Sequence, residues 1–368
     1  MKDWYTIDNV DEIDTPALAV YPDRVKENIR ILKSFLPDTR RLRPHVKTHK
    51  SPEITKLLIE AGITQFKCAT IAEAEMLALA GAEDVLLAYQ PVGPKAVRLL
   101  ALVERYKSTA FSCLIDHVET AAHVSAVFQS ANRKQPVYID LNIGMNRTGI
   151  VPEKALRLYH DCQRLPGIQF VGFHAYDGHI HDSDFDLRKK QCDEGFASVE
   201  TLRNEMLKQH AGPMTIIAGG TPTFPIHAKR KDVVCSPGTF IYWDIGYHRT
   251  LSEQPFLFAA LVITRVISKP TEDTLCLDLG HKAIASENPL ANRVSFLNAP
   301  ALQPVGHSEE HMVVRTEKNN SYHVGDVLYG VPFHICPTVA LYDRAVVVEN
   351  KRAGKTWSIL SRNRTITI

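Results

Sequence analysis

Short apolar runs rich in β-branched residues alternate with longer amphipathic runs along the first 245 residues. The short runs predict strands, and the longer runs, whose apolar positions recur with a helical period, predict helices. The predicted strands span residues 40–49, 65–69, 84–89, 111–116, 136–142, 169–176, 214–219 and 233–243. The predicted helices between them span residues 52–61, 71–80, 94–106, 118–131, 152–165 and 185–210. Since each helix supplies a crossover between parallel strands, the series predicts an α/β fold, a TIM-like (β/α)8 barrel over residues 25–245.

The helical period ends near Gly246, and the rest of the chain predicts an all-β domain. Its predicted strands span residues 257–268, 274–279, 312–316, 326–330 and 344–349, and a turn over 350–357 precedes a last strand at 358–361. Residues 16–21 are also strand-like, so the N-terminal 24 residues are expected to pair with this domain. The second predicted domain is therefore residues 246–368 together with 1–24.

Composition narrows the function classes. A formal net charge of +2 gives no basic field of the kind that binds nucleic acid. The seven cysteines are odd in number and scattered, with no C-x-x-C pair, which favours free thiols in a reducing, cytoplasmic setting. The charged N-terminus predicts no signal peptide, and no apolar run is long enough to predict a membrane span.

Five polar motifs follow the predicted barrel strands at the edge where such barrels carry their catalytic groups. The first is Lys47, at the end of the first strand, whose amine is the group that forms an imine with pyridoxal 5'-phosphate. A single lysine at a strand end is usually a solvated side chain, so the prediction depends on all five motifs falling at one edge. The other four are residues 146–149, 174–181, 219–223 and 236–239.

A phosphate site is expected after the seventh and eighth strands, where barrels of this class commonly bind phosphate. Gly219 and Gly220 leave their backbone N–H groups uncovered, and Thr221 adds a hydroxyl. Gly238 and Tyr242 are expected to complete the phosphate cradle.

A metal site is expected at His334 and Cys336 in the β domain. If this segment is a strand, the two side chains share a face and both reach one ion. Two protein ligands leave positions open for water and substrate, as a catalytic rather than a structural ion requires.

Motifs over essentially the whole chain resemble those of the D-threonine aldolase and D-serine dehydratase family. The motifs are residues 44–50, 146–149, 219–223, 236–239, 278–283, 308–311 and 332–338. The resemblance implies a fold-type III pyridoxal phosphate enzyme with an alanine-racemase-like barrel and a β domain. It also implies a homodimer in which the active site lies between one barrel and the β domain of the other subunit.

The resemblance also implies site roles. Lys47 would form the imine with the cofactor, Arg147 would lie near its phenolic oxygen, and Tyr176 or His174 would lie against its pyridine ring. A reactive lysine needs a desolvated or cation-rich site, which Arg147, His45 and His49 are expected to supply. The residues that would hold the phosphate are Gly219, Gly220, Thr221, Gly238 and Tyr242, and those that would bind zinc or manganese are His334 and Cys336.

Two reactions on D-β-hydroxy amino acids fit the family. In a D-threonine aldolase a base, His179 or His181, removes the β-hydroxyl proton and the Cα–Cβ bond breaks. In a D-serine or D-3-hydroxy-amino-acid dehydratase Lys47 removes the α-proton and water leaves. The H-x-C pair resembles the dehydratase branch, and residues 175–181 resemble the aldolase branch. Of the two activities, we expect D-threonine aldolase before the dehydratase.

Two other classes stay open. An amino-acid racemase would share the barrel but needs a second base, for which Tyr322, Tyr329 and Tyr342 are candidates, and it has no use for a metal pair. A non-catalytic pyridoxal phosphate carrier would have no need of the β domain.

Overall fold

The computed structural model describes residues 3–210 and 212–368. Within them the chain divides into two compact units. The barrel unit contains residues 32–47, the described part of 54–238, and 363–368. The β unit contains residues 3–31, 48–53 and 239–362.

The strands and helices are numbered in chain order. The strands are β1 Ala17–Val20, β2 Gln65–Cys68, β3 Asp84–Leu87, β4 Ala110–Ile115, β5 Gln135–Leu141, β6 Ile168–Ala175, β7 Thr215–Ala218, β8 Val233–Cys235, β9 Ala260–Thr271, β10 Thr274–Leu277, β11 Val294–Phe296, β12 Gln303–His307, β13 Met312–Arg315, β14 Val327–Pro332, β15 Arg344–Glu349 and β16 Arg352–Ser358. The helices are α1 Pro22–Phe35, α2 Pro52–Glu60, α3 Ile71–Leu79, α4 Pro94–Arg105, α5 Val118–Ser130, α6 Pro152–Gln163, α7 Phe185–Met206, α8 Phe224–His227, α9 Ile245–Thr250 and α10 Ile335–Val339.

The barrel unit is a parallel sheet in which β2 to β8 pair in sequence order. The first predicted strand, residues 40–49, is wrong as a strand, because the segment holds two short 3-10 turns, Thr39–Arg41 and Val46–Thr48. Between them, Leu42 makes a parallel bridge with Cys235 of β8, and His45 makes one with Lys67 of β2. The segment therefore joins the two edges of the sheet and closes the barrel, which confirms the predicted architecture.

Pro44 explains why this closing segment is not a regular strand. Its carbonyl accepts from Lys67 N at 2.9 Å, but the residue has no N–H to return a second ladder bond. The neighbouring Arg43 and His45 N–H groups instead donate toward the β8 side, to the carbonyls of Cys235 and Pro237. The chain is held on both sides and leaves the barrel edge at Lys47.

The six predicted barrel helices are present with ends shifted by a few residues. Their start signals are local: Thr70 caps α3 by accepting from Glu73 N, and Glu73 Oε2 accepts in return from the N–H of Ala69, the residue before the cap, at 2.6 Å. Pro94 and Pro152 occupy the first turns of α4 and α6, where a missing N–H costs no helical bond.

The β unit is built around the long strand β9, which pairs with β1, β10 and β14. The strand β1 also pairs in parallel with β15, so the expected pairing of the N-terminal strand with the β domain is confirmed. The predicted turn over 350–357 and last strand at 358–361 are wrong. The turn is only Asn350 and Lys351, both with positive φ, as a tight hairpin requires, and β16 follows at once.

Each unit has buried clusters of apolar side chains. One apolar cluster of the barrel contains Leu86, Leu114, Tyr138 and Ile217, and the apolar residues of the β unit form larger clusters. All seven cysteines are free thiols, five of them buried. Within residues 3–210 and 212–368, no helix has the length and apolar character that a membrane span requires.

Candidate active site

Lys47 lies in the 3-10 turn at the edge of the barrel, and its side chain is exposed. Its backbone N–H donates to His45 Nδ1 at 3.2 Å, which fixes the turn that presents the lysine. The amine is therefore accessible at this edge, but the single chain does not desolvate it as the sequence predicts for a reactive lysine.

A second lysine, Lys67 on β2, lies inside the barrel and was not singled out in the sequence. Its side chain is almost completely buried, and its Nζ lies 3.5 Å from Nε2 of His174 on β6. Burial, and next the charge of Lys47, lowers the pKa of Lys67 to about 7. A lysine within a strand pattern gives no sequence signal of this kind, because only the barrel closure brings it next to β6.

His174 is fixed by Asp140 on β5, whose Oδ1 accepts from His174 Nδ1 at 2.7 Å. Burial lowers the pKa of His174, so the imidazole is neutral, with its proton on Nδ1 and an acceptor lone pair on Nε2. Burial alone would raise the pKa of Asp140, but the interactions with His174 and the hydrogen bonds from Thr148 and Gln90 together outweigh burial and lower that pKa. The resulting pair is a buried imidazole held by a carboxylate.

The loop that carries Arg147 is tied to the same pair through Gln90. Its amide nitrogen donates to Asp140 Oδ2 at 3.0 Å and to Asp116 Oδ2 at 2.9 Å. The same Asp116 oxygen accepts from Gly149 N at 2.9 Å. The hydrogen-bonded chain therefore runs from His174 to the loop, and it fixes the backbone beside Arg147.

Tyr176 connects the cationic side chains with the glycine loop after β7. The guanidinium carbon of Arg147 lies 5.0 Å from the centre of the Tyr176 ring, and Lys67 Nζ lies 5.4 Å from it. A Cβ placed on Gly220 would come within 3.0 Å of the same ring. The barrel thus brings four of the predicted cofactor residues, Arg147, His174, Tyr176 and Gly220, into one region together with Lys67.

The glycine loop after β7 is closely packed, and two of its N–H groups, which were expected to be uncovered, are hydrogen-bonded within the protein: Gly219 N donates to Ala175 O at 3.1 Å and Gly220 N donates to Thr223 Oγ1 at 3.3 Å. Gly219 has φ of 77°, and a Cβ there would lie 2.7 Å from the ring of His227. The Oγ1 of Thr221 accepts from Gly238 N at 3.2 Å, so the two predicted glycine segments are joined. The buried hydroxyl of Ser236 has no hydrogen-bond partner among the described residues, and a phosphate oxygen is a group it could bind.

A buried network that the sequence did not predict supports this loop. Asp177 accepts from Thr223 Oγ1 at 2.8 Å and from His227 Nε2 at 2.8 Å, and Gly220 N donates to the same Thr223 hydroxyl at 3.3 Å. Burial alone would raise the pKa of Asp177, but the bonds from His227 and Thr223 outweigh it and lower that pKa. The ionised carboxylate of Asp177 therefore fixes the loop through the Thr223 hydroxyl.

Asp177, Cys192 and His227 also form a cluster that could hold a metal ion, since their ligand atoms lie within 4.8 Å of one another. Two ligands of a tetrahedral zinc ion, each about 2.0 Å from the metal, lie about 3.3 Å apart. The 2.8 Å between Asp177 and His227 is instead a hydrogen-bond distance, and burial raises the pKa of Cys192 to about 12. The cluster fits a hydrogen-bonded support better than a metal centre.

The two candidate bases differ in placement. Both His179 and His181 are exposed. His179 packs over Gly144, where an added Cβ would lie 2.8 Å from its Nε2, so it belongs to the surroundings of the Arg147 loop. No recorded contact of the described structure joins His181 to the other candidates.

The expected metal pair lies in the β unit but not in a strand. His334 is the N-cap of the short helix α10, and Cys336 is in its first turn, so the strand argument for a shared face is wrong. The two side chains still meet, because they form a hydrogen bond with each other. The pair is therefore brought together by a helix start instead of a strand.

Glu287 orients the imidazole of this pair. Its Oε1 lies 2.6 Å from His334 Nδ1, so Nε2 is the nitrogen that would bind a metal ion. Burial lowers the pKa of His334, but the hydrogen bonds to Cys336 and Glu287 outweigh it and raise the pKa to about 9. Metal-ligating histidines are commonly held by a carboxylate in this way. The H-x-C motif alone did not predict Glu287, which lies 47 residues earlier in the chain.

Hydroxyl groups surround the thiol of Cys336. Its Sγ lies 3.1 Å from Thr48 Oγ1 and 3.7 Å from Thr239 Oγ1. The buried Tyr242 has a hydroxyl without a hydrogen-bond partner among the described residues, and burial raises the pKa of that hydroxyl. The O–H of Tyr242 could therefore be donated to a ligand oxygen.

His49 is buried and uncharged. Burial lowers its pKa to about 3, and its Nδ1 accepts from Ser51 N at 3.1 Å. Of the two conditions expected around a reactive lysine, desolvation and positive charge, His49 can contribute only to the first.

Residues 20–245 match the family described as alanine racemase, N-terminal domain. This span covers more than half of the chain. The chain belongs to this family. Beyond the alanine racemase N-terminal domain, residues 259–348 match a putative serine dehydratase domain.

Two relatives with known activities are similar in sequence to this chain over nearly its whole length. A D-threonine aldolase from Arthrobacter sp is 27% identical, over 96% of this chain and 94% of the relative. A 3-hydroxy-D-aspartate aldolase from Paracoccus denitrificans (strain Pd 1222) is 26% identical, over 96% of this chain and 93% of the relative. These matches confirm the resemblance to the D-threonine aldolase and D-serine dehydratase family.

Solved structures agree with the fold. The crystal structure of D-threonine aldolase from Filomicrobium marinum superposes with a TM-score of 0.88 at 25% identity, and covers 95% of each chain. D-threo-3-hydroxyaspartate dehydratase from Delftia sp. HT23 superposes with a TM-score of 0.83 at 20% identity, over 95% of this chain and 98% of the other. The alanine-racemase-like fold is confirmed. Since the relatives are aldolases and dehydratases, the expected class of pyridoxal phosphate-dependent lyase is confirmed at that level.

Proposed function

We propose that the protein is a pyridoxal phosphate lyase that acts on D-β-hydroxy amino acids with a divalent metal, and that it is a D-threonine aldolase. The observation that carries the proposal is the glycine loop 219–221, held on Asp177 and Thr223, in the same barrel that presents Lys47. In this proposal the loop would bind the phosphate and Lys47 would supply the amine, which are the two parts that this cofactor requires.

The cofactor would be held mainly by barrel residues. Lys47 would bind it covalently, Arg147 would face its phenolic oxygen, and Tyr176 or His174 would support its ring. The groups that would bind its phosphate are Gly219, Gly220, Thr221, Gly238, Ser236 and Tyr242. When bound, the cofactor supplies an electron sink for the bond that breaks at Cα.

The metal would be zinc or manganese on His334 and Cys336. Glu287 would keep the imidazole in the orientation that presents Nε2. A metal with two protein ligands can accept the substrate hydroxyl, and as a Lewis acid it makes the proton of that hydroxyl easier to remove. This chemistry serves the aldol cleavage.

A base must then take the β-hydroxyl proton, and His179 is our first candidate. It packs against Gly144 in the loop region of Arg147, whereas His181 has no such recorded contact. His179→Gln should lower kcat for cleavage at least tenfold, and His181→Gln provides the matched control in the same exposed segment.

A dehydratase acting on D-serine or another D-3-hydroxy amino acid is the second candidate. It is favoured by the H-x-C pair, which resembles the dehydratase branch, and by the match of residues 259–348 to the putative serine dehydratase domain. In this reaction Lys47 would take the α-proton, and a metal held by His334 and Cys336 would supply the Lewis acidity that makes the β-hydroxyl a better leaving group, so the same residues would serve a different bond.

Product analysis on D-threonine separates the candidates. The purified protein is loaded with pyridoxal phosphate and assayed with zinc or manganese, with a chelator control and a Lys47→Ala control. Glycine with acetaldehyde supports the aldolase, and 2-oxobutanoate with ammonia supports the dehydratase. Formation of L-allo-threonine, the Cα epimer of D-threonine, without glycine and acetaldehyde and without 2-oxobutanoate and ammonia, would contradict a lyase and indicate a racemase.

A further inference from the structure

Lys67 is the least expected side chain of the barrel interior. Its position is fixed by the sheet, because its N–H donates to Pro44 O at 2.9 Å and it pairs with His45. The residue is only 2% exposed. An isolated ammonium group is costly to bury, so such a residue in a cavity is a candidate for function.

Among the described residues, the contacts of Lys67 Nζ leave part of its hydrogen-bonding capacity unused. Since Asp140 accepts from His174 Nδ1, the Nε2 atom of His174 is an acceptor, and Lys67 donates to it across 3.5 Å. An ammonium group has three donors, and this contact uses one.

The carboxylates near Lys67 are already engaged elsewhere. Asp140 is hydrogen-bonded to His174 and Gln90, and Asp177 is hydrogen-bonded to Thr223 and His227. Each raises the proton affinity of Lys67 through its charge, but burial and the cations Lys47 and Arg43 act in the opposite direction. The net result is a pKa of about 7, at which the amine is half protonated at neutral pH.

The spare donors lie where the proposed cofactor would bind. Lys67 contacts His174 and lies 5.4 Å from the ring of Tyr176, and these are the two candidates for the ring-supporting residue. Gly220 of the phosphate loop lies against the same tyrosine. An anion in this region would supply the partner that the buried amine lacks.

We propose that Lys67 is an anion-binding residue of the cofactor site, which donates to an anionic oxygen of the bound cofactor and takes up a proton when that cofactor binds. The inference rests on the proposed function and adds a residue to it. A negative charge brought next to a buried amine favours its charged form, so the amine that is largely neutral at pH 8 becomes protonated in the complex.

Proton counting by calorimetry tests this step. The probe is pyridoxine 5'-phosphate, whose alcohol in place of the aldehyde cannot form an imine with Lys47. Its binding to the metal-free protein is measured at pH 8 and at pH 6 in two buffers that differ in ionisation enthalpy. The comparison of wild type with Lys67→Met cancels the protons that belong to the ligand itself.

With a free-protein pKa of about 7, wild type should take up about 0.9 proton more than Lys67→Met at pH 8, and about 0.1 proton more at pH 6. Lys67→Met should bind the probe roughly tenfold to a hundredfold more weakly, as expected for a lost charged hydrogen bond. Lys67→Arg should bind nearly as tightly as wild type without the uptake, because arginine is already charged. Lys95→Met, which removes a lysine that lies over the ring of Tyr89 in the same barrel, should behave as wild type.

Equal proton uptake and equal affinity in wild type and Lys67→Met would overturn the inference and leave the proposed function intact. If wild type bound neither pyridoxine 5'-phosphate nor pyridoxal phosphate, both would be overturned. A second measurement does not depend on the folding of a variant: NMR of wild-type protein with 13C-labelled lysine at pH 8. The Cε signal that titrates near pH 7 should move to its protonated position on ligand binding, and an unmoved signal contradicts the inference.

Discussion

At the scale of single residues, the site depends on charges that the barrel buries and then partly compensates. Both carboxylate oxygens of Asp177 accept hydrogen bonds, from Thr223 and His227, whereas Lys67 Nζ makes one hydrogen bond among the described residues. The hydrogen bonds of Asp177 stabilise the glycine loop. The buried amine of Lys67 lowers the stability of the free protein, and a ligand that bonds to it can remove this loss. These opposite arrangements give the residue-scale predictions.

The buried Lys67 makes stability depend on pH. Its pKa is lowered to about 7 in the folded protein and is 10.5 when unperturbed. Between these values the unfolded chain binds more protons, so the free energy of unfolding rises with pH. Denaturant unfolding of the cofactor-free protein should show this rise for wild type relative to Lys67→Met, by up to about 1.4 kcal/mol per pH unit. A difference that stays constant from pH 6.5 to 9 would contradict it.

Gly219 should be intolerant of a side chain. Gly219→Ala meets both an unfavourable positive φ and a Cβ contact of 2.7 Å with the ring of His227. We expect affinity for pyridoxal phosphate to fall at least tenfold, measured by absorbance titration. Gly81→Ala is the matched control, because Gly81 has φ of 93° with nothing within 4 Å of the added Cβ. It should lose a little stability and no cofactor affinity, and equal losses of affinity in both variants would count against the cradle.

At the scale of elements, periodicity located the barrel strands and helices well, and the failures have local causes. The closing segment contains Pro44, so it holds both sheet edges without strand geometry. The strands β11 and β12 were missed because one has three residues and the other contains Pro304 and Gly306. Motif spacing found Lys47, the glycine loop and the H-x-C pair, but Lys67, Asp177 and Glu287 become visible only when distant segments pack together.

The start of α10 is an element whose function depends on a distant carboxylate. Glu287→Gln keeps the size of the side chain but removes the charge that holds His334 Nδ1 at 2.6 Å. Metal affinity, measured by competition with a chromogenic chelator, should fall about tenfold to a hundredfold. The exposed Glu310→Gln provides a control in the same unit. Unchanged affinity in Glu287→Gln would argue against a metal held by His334.

At the scale of the whole molecule, the family resemblance predicts a homodimer, and the chain alone does not test it. Sedimentation equilibrium of the 41.2 kDa chain should give twice that mass at micromolar concentration. A concentration-independent mass of one chain, in a preparation that turns over D-threonine, would contradict the predicted assembly. The expected cytoplasmic location likewise stays a prediction.

The uneven burial of the thiols has a practical consequence. Five cysteines are buried, and only Cys276 and Cys336 are partly exposed. Alkylating reagents should therefore modify these two first, and their modification rates can be read separately by peptide mass spectrometry. A metal on Cys336 would slow its alkylation, and the alkylation rate of Cys276 in the same sample provides an internal reference. The ratio of the two rates would then report metal occupancy in an unfractionated extract, before any substrate is known.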